Sequence, residues 1–361
     1  MGTTVGVGMT GPSDGPANGP DGRVTLRTVA DAAGVHTSTV SRILNKQLGA
    51  SSHTASPATV SRVLAVAKEL GYTPNPNAKS LRTRQTKHIG VLVPTLSDLV
   101  LATIYEGIED AAERHGYSTY VTNSLDDPER RERQTETMLA RHPDAMIFGD
   151  AEHHSDFLQR QQDRGIRFCL VSRRVEGFLS STTDDYLGGC LAARHLLELG
   201  FTDVAVLAGQ PYASTAIDRT AGFTDTYRSA GHPVPHDHVA WGPFDTAGGR
   251  SAMQTVLATG ATPDAVFATN DFAAIGAIGG LRDVGLVAGV DVALVGYNDV
   301  PLAEALPTPL TTIHSPRHEM GRTAVELIVQ LLRGEQPESV RLTPELRVRE
   351  STLAARPRSR A

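Results

Sequence analysis

Four side chains near the start of the chain carry hydrogen-bonding chemistry at close spacing: Thr37, Ser38, Ser41 and Arg42. Val35, just before them, and Val40, among them, are read as facing back toward the preceding helix, which leaves the hydroxyls and the guanidinium outward. Hydroxyls and an arginine fork are groups that meet base edges and phosphates in a major groove. A solvated polar face is the plain alternative, so the assignment depends on the elements around it.

A second set lies far downstream, at the ends of apolar runs. Asn270 and Asp271 follow the run AVFAT, which contains Phe267; Asn298 follows VALVG; Ser97 and Asp98 stand in the first crossover loop after IGVLV. Amide and carboxylate groups at the carboxyl ends of strands are placed to hold a polar ligand. Asp271 reads equally well as the N-cap of the helix that follows it. Arg219, in STAIDRTAGF, lies on a helix; its planar donor fork suits paired hydroxyls or a carboxylate, although an arginine on a helix is most often a solvated charge.

The elements that must position the first set are short helices. In TLRTVADAAGVHTSTVSRILN, Leu26, Val29, Ala30 and Ala33 recur at helical spacing until Gly34 breaks the pattern, and a second helix runs from about Thr37 to Leu44. Two short helices around a Gly-containing turn are the helix-turn-helix signature. After a polar loop over 45–55, Ser56 and Pro57 supply a cap and a favoured first helical residue for a third helix that ends at Gly71. Asn75 to Arg82 has helix-start chemistry but only about two turns of length, too little for a stable isolated helix. It predicts a hinge that orders only against a partner.

From Ile89 the pattern changes to apolar strands alternating with amphipathic helices, and after Asp184 the alternation restarts. The fold expected is an all-α helix-turn-helix head on an α/β core of two doubly wound, parallel-sheet lobes. A last strand is expected over 341–349. The domain boundaries read as a disordered tail over 1–22, the head over 23–73, a hinge over 74–87, the core over 88–353 and a tail over 354–361.

Charge separates the same two parts. Residues 1–88 hold ten Lys and Arg against four Asp and Glu, a balance of +6, which leaves −12 for the rest of a chain whose total is −6. A basic head on an acidic body fits a phosphate-facing module joined to a part that avoids phosphate. No apolar run approaches the ~20 residues of a membrane span. The two cysteines, Cys169 and Cys190, give neither a disulfide framework nor a Cys-based zinc site, and the reducing cytoplasm fits best. The Gly- and Pro-rich first 22 residues lack a basic n-region and read as a tail rather than a secretion signal.

Several apparent motifs carry nothing. Gly6, Gly8 and Gly11 match a dinucleotide fingerprint, but no strand precedes them and Pro12 follows. His232, His236 and His238 sit in a Pro-rich loop without a second ligand cluster, and the pair His153 and His154 beside Glu152 is equally weak. Neither a nucleophile elbow nor a P-loop occurs, and no paired acid and base indicates catalysis. No metal and no cofactor is expected.

The segments TVADAAGV, TVSRILN, ELGYTPN, NAKSLR, LVGYNDVPLAEALPTPLTTIHSP and MGRTAVELIVQLL together carry a likeness: over 24–353 the chain resembles the lactose-repressor (LacI/GalR) family. The resemblance implies a homodimer on a near-palindromic double-stranded operator, a hinge helix ordered by DNA, and a core like periplasmic sugar-binding proteins, governed by a small effector such as a sugar. It also implies that Leu81 wedges into the minor groove beside Arg82 and that Arg219 contacts the effector. The chain departs from the pattern in five places. The loop 45–55 is about five residues longer than compact modules use; Thr28 replaces an acid; Val60 replaces an arginine; Asp98 to Leu101 replace Asn-Pro-Phe-Phe, removing an aromatic wall; and Asn298 replaces an acid. A transport binding protein and an enzyme on an α/β scaffold are the rival readings. The basic head argues against the first, and the missing acid/base constellation against the second.

Overall fold

A computed structural model describes residues 24–46, 55–73, 85–153, 155–260 and 262–357. The chain divides into two units, residues 1–84 and 85–361.

The first unit is three helices, α1 (Leu26–Ala33), α2 (Thr37–Lys46) and α3 (Pro57–Glu69). At the start of α1 the Thr25 hydroxyl accepts from the Thr28 N–H and the Thr28 hydroxyl accepts from the Thr25 N–H, both at 3.2 Å. Thr28 thus does the capping work usually done by a glutamate or glutamine at this position. Gly34 ends α1 in the left-handed region at φ 62°, where a side chain would be strained. Ser56 caps α3 and Pro57 opens it. Val29, Ala30 and Ala33 of α1 pack with Val40 and Ile43 of α2 and with Val63 and Ala67 of α3 to form one small core.

The second unit holds two six-stranded sheets. The first lobe contains β1 (His88–Val93), β2 (Ser118–Asn123), β3 (Ala145–Phe148), β4 (Phe168–Val171), β5 (Ser180–Thr183) and β11 (Val340–Leu342), in the order β11-β5-β4-β3-β1-β2. The second contains β6 (Val204–Ala208), β7 (Val239–Trp241), β8 (Ala265–Ala268), β9 (Ala293–Asn298), β10 (Thr311–His314) and β12 (Glu345–Arg347), in the order β12-β10-β9-β8-β6-β7. Every pairing is parallel except β10 with β12. Helices cover both faces, so the strands bury both sides: Ile89, Val91 and Val93 of β1 enter one core cluster and Leu92 enters another.

Two expectations need correction. The single strand over 341–349 is two strands in different sheets, β11 and β12, separated by Thr343 and Pro344, where the chain crosses between lobes. The lobes also do not change only once, near Asp184. Helix α12 (Arg317–Leu332) returns to the first lobe, where Met320, Ala324, Val325 and Ile328 join its core. Helical or strand periodicity reports which face of an element is buried, not which sheet buries it. The polar strands β5 (SSTT) and β10 (TTIH) also lack the apolar run that marks a strand buried on both faces.

Candidate nucleic-acid interface and effector cavity

On α2, Ser38 and Arg42 are exposed, and Thr37 and Ser41 are half-buried above the packed Val40 and Ile43. The Ser38 hydroxyl lies 2.9 Å from His36 Nδ1, and the Arg42 Nε–H donates to the Ser38 carbonyl at 3.3 Å. That weak, exposed bond orients the guanidinium without consuming its terminal nitrogens. The outward face of α2 thus carries hydroxyls and a planar cation. Leu81, Arg82 and most of the loop 45–55 lie outside the described residues.

In the second unit a cavity of about 630 Å³ opens between the two lobes. Its walls are strand-to-helix loops, because in parallel sheets the carboxyl ends of the strands and the N-termini of the following helices share one edge. Asp98 caps α4 (Leu99–Arg114), Asp245 caps α9 (Thr246–Ala258) and Asn270 caps α10 (Asp271–Asp283), and all three caps line the cavity.

Arg219, on α8 (Ser214–Ser229), lines the cavity while only 6% exposed. Its Nε–H donates to Asp185 Oδ1 at 2.7 Å, its Nη1–H donates to the Thr269 carbonyl at 2.8 Å, and the guanidinium stacks 3.7 Å from the centre of the Tyr297 ring. Burial lifts the Asp185 carboxyl above its ordinary value, against the pull of Arg219. Gly189, on α7 (Asp185–Glu198), permits this arrangement, since a Cβ there would strike the Arg219 carbonyl across the helix contact.

Asn298 sits on the cavity wall at φ 101°, with its Oδ1 buried and without a partner. A buried acceptor left unpaired is costly unless a ligand donates to it. The Asp98 carboxyl is raised by burial; the Val100 N–H and the nearby Arg317 and Arg219 oppose the rise. Ser97 lies on the wall with its hydroxyl 3.0 Å from that of Thr95.

Asn270 lines the cavity, but its side chain is committed: Oδ1 accepts from the Ala273 N–H at 2.6 Å and Nδ2 donates to the Phe244 carbonyl at 2.8 Å. It fixes the loop that presents Phe244. Asp271 is not on the cavity wall and is not the cap. Its Oδ2 accepts from the Val300 N–H at 2.8 Å and its Oδ1 from the Thr312 hydroxyl at 2.6 Å, so both oxygens are consumed in holding the segment after Asn298. Burial pushes its carboxyl up to about 7. Phe267 also stands away from the cavity, fully buried and stacked on Phe223 at 4.8 Å. Strand alternation explains this: Phe267 points to the face of the sheet under α8, not to its end.

The cavity also contains groups not expected from the sequence. Arg173 makes a two-pronged pair with Asp126 at 2.7 and 2.8 Å. Tyr212, Phe244 and Phe272 line the second-lobe side. The aromatic surface missing after Ser97 in the first lobe is therefore supplied from the opposite wall. The run GPFDTAGG, an aromatic next to an Asp cap, was the available signal for Phe244. Nothing local marks Arg173 or Tyr212. Among the described residues no group of three His, Cys, Asp or Glu is placed to hold a metal ion, and no helix is long and apolar enough to cross a membrane.

A helix-turn-helix head and a two-lobed α/β core with a cleft that mixes polar and apolar groups define a ligand-responsive DNA-binding regulator. Residues 25–75 match the model for bacterial regulatory proteins of the lacI family, and residues 86–350 match that for periplasmic binding proteins and the sugar binding domain of the LacI family. The ribose operon repressor of Escherichia coli (strain K12) is 31% identical over 336 residues, covering 91% of this chain and 99% of that protein. The transcriptional repressor PurR of Haemophilus influenzae (strain PittEE) is 30% identical over 334 residues, covering 91% and 98%. A crystal structure of the lac repressor dimer bound to operator and the anti-inducer ONPF superimposes with a TM-score of 0.83 at 28% identity, covering 92% of this chain and all of that one. A complex of the transcriptional regulator CelR with cellobiose gives 0.69 at 30% identity, covering 91% and 100%. The chain belongs to the LacI family of transcriptional regulators.

Proposed function

We propose that this chain is a cytoplasmic repressor, not an enzyme, that binds a near-palindromic operator as a homodimer and is controlled by a small polar effector held between the lobes. The head spans 23–73, the hinge 74–87 and the effector core 88–353. Thr37, Ser38, Ser41 and Arg42 face the major groove, and Leu81 and Arg82 serve the hinge contact with the minor groove.

The observation that carries the effector reading is the cavity's chemistry. The unpartnered acceptor of Asn298 and the Asp98 carboxyl ask for hydroxyl or N–H donors, Arg219 offers the N–H groups not spent on Asp185 and Thr269, and Phe244, Phe272 and Tyr212 offer apolar faces. A hydroxylated ring with one apolar face, a sugar or a nucleoside, answers all of these, and the volume is within the range of small-molecule sites. Cellobiose, the ligand in the CelR complex, is of this kind.

The test is a gel shift on inverted repeats upstream of the gene and its neighbours, repeated over a salt series and with sugars and nucleosides added. Binding that weakens steeply with salt and changes with one of these compounds supports the reading. Binding to no duplex overturns it.

A further inference from the structure

Contacts between the lobes are not confined to the three chain crossings. A second group joins the loops after β3 and β4 of the first lobe to the segment that opens α8 in the second. The Arg174 guanidinium grips the Asp218 carboxylate with Nε to Oδ2 at 3.0 Å and Nη2 to Oδ1 and Oδ2 at 2.9 and 2.7 Å. The Arg174 backbone N–H donates to the Ser214 hydroxyl at 2.9 Å, and the His153 N–H donates to the Tyr212 carbonyl at 3.1 Å. In the second sheet β6, which leads into this segment, stands three strands from β10, which leads into one of the crossings. These bonds therefore restrain a part of the cleft that the crossings do not hold.

We propose that Arg174 and Asp218 form a clasp that holds the lobes together before any effector arrives. Arg174 and Asp218 are 29% and 19% exposed at their side chains, buried enough to order the pair and open enough to release it. Each is the immediate neighbour of a cavity residue: Arg173 precedes Arg174, and Arg219 follows Asp218. The same two segments thus carry the effector wall on one side and the clasp on the other, so breaking the clasp frees both cavity arginines to separate. The clasp sets the fraction of molecules whose cavity is already assembled, and a ligand's apparent affinity scales with that fraction. Only this last consequence rests on the cavity being the effector site.

The experiment reads lobe separation in the full-length protein without effector. Spin labels are placed at Glu113→Cys in the first lobe and Ser251→Cys in the second, both exposed, in a chain whose own cysteines are buried. Labelled protein is diluted into excess unlabelled protein so that only pairs within one chain are measured. Asp218→Asn is expected to raise the open-to-closed ratio about fivefold, which corresponds to the upper end of what such pairs contribute. Arg174→Asp with Asp218→Arg, which restores the pair with reversed sign, is expected to return the distribution toward the parent. An unchanged distance distribution in Asp218→Asn overturns the clasp. So does a reversed pair that stays as open as the single variant, because the effect would then belong to something other than the pairing. Should Asp218→Asn fail to fold, Arg174→Gln breaks the same pair from the other side and is read in the same way.

Discussion

Arg219 has two jobs in this structure, and its removal separates them. In Arg219→Ala the cavity loses its fork, and Asp185, 5% exposed, loses its partner at 2.7 Å. Breaking a buried ion pair from one side costs about 3–5 kcal/mol because the remaining charge is stranded. Burial already lifts the Asp185 carboxyl while Arg219 is present, and without that counter-charge it rises further. Protonation then limits the penalty. A carboxyl whose folded value lies above the unfolded one, near 3.9, contributes stability below the unfolded value and loses it as pH climbs through the folded value. The destabilisation of Arg219→Ala should therefore be small near pH 4 and grow toward neutrality. Denaturant unfolding from pH 4 to 8, followed by circular dichroism and by the fluorescence of Trp241, the only tryptophan, measures it. The double variant Asp185→Asn with Arg219→Met, neutral on both sides, should recover most of the loss and flatten the pH dependence. A loss below about 1 kcal/mol in Arg219→Ala, or one independent of pH, would refute the argument.

Asp271, with its carboxyl at about 7 in the fold, makes the intact protein lose stability as pH rises from about 4 to 7; Asp271→Asn should flatten that slope in a denaturation series, while costing about 1–3 kcal/mol because an amide cannot accept from both Val300 and Thr312. Arg42→Ala should weaken operator binding by about 1–3 kcal/mol in a gel shift and leave the unfolding of the core unchanged. Phe244→Ala should remove most of the thermal shift given by whichever sugar or nucleoside stabilises the parent, without altering operator affinity in the absence of that compound. A Phe244→Ala variant with an undiminished shift would move the ligand away from this wall.

The head was legible because its instructions are local. Thr25, Gly34, Ser56 and Pro57 start and stop helices by hydrogen bonds and dihedral preferences that act within four residues, and the valines and alanines between them mark the buried face. The same holds for the strand-and-helix alternation of the core and for the charge that separates head from body. Asn298, Ser97 and Asp98 are legible as cleft residues because parallel sheets put strand ends and helix starts on one edge, whereas only the family resemblance points to Arg219, in the second turn of its helix. What local pattern does not determine is which edge groups face the cleft and which are spent behind it. Asp271 and Asn270 are adjacent in sequence, yet one bonds β10 and the segment after β9 while the other caps α10 and braces Phe244. Arg173 and Tyr212 meet at the cavity from different lobes, as do Arg174 and Asp218 beside it, 44 residues apart. Such pairings arise when separate sheets close against each other, so they are decided by long-range packing that no stretch of sequence encodes alone.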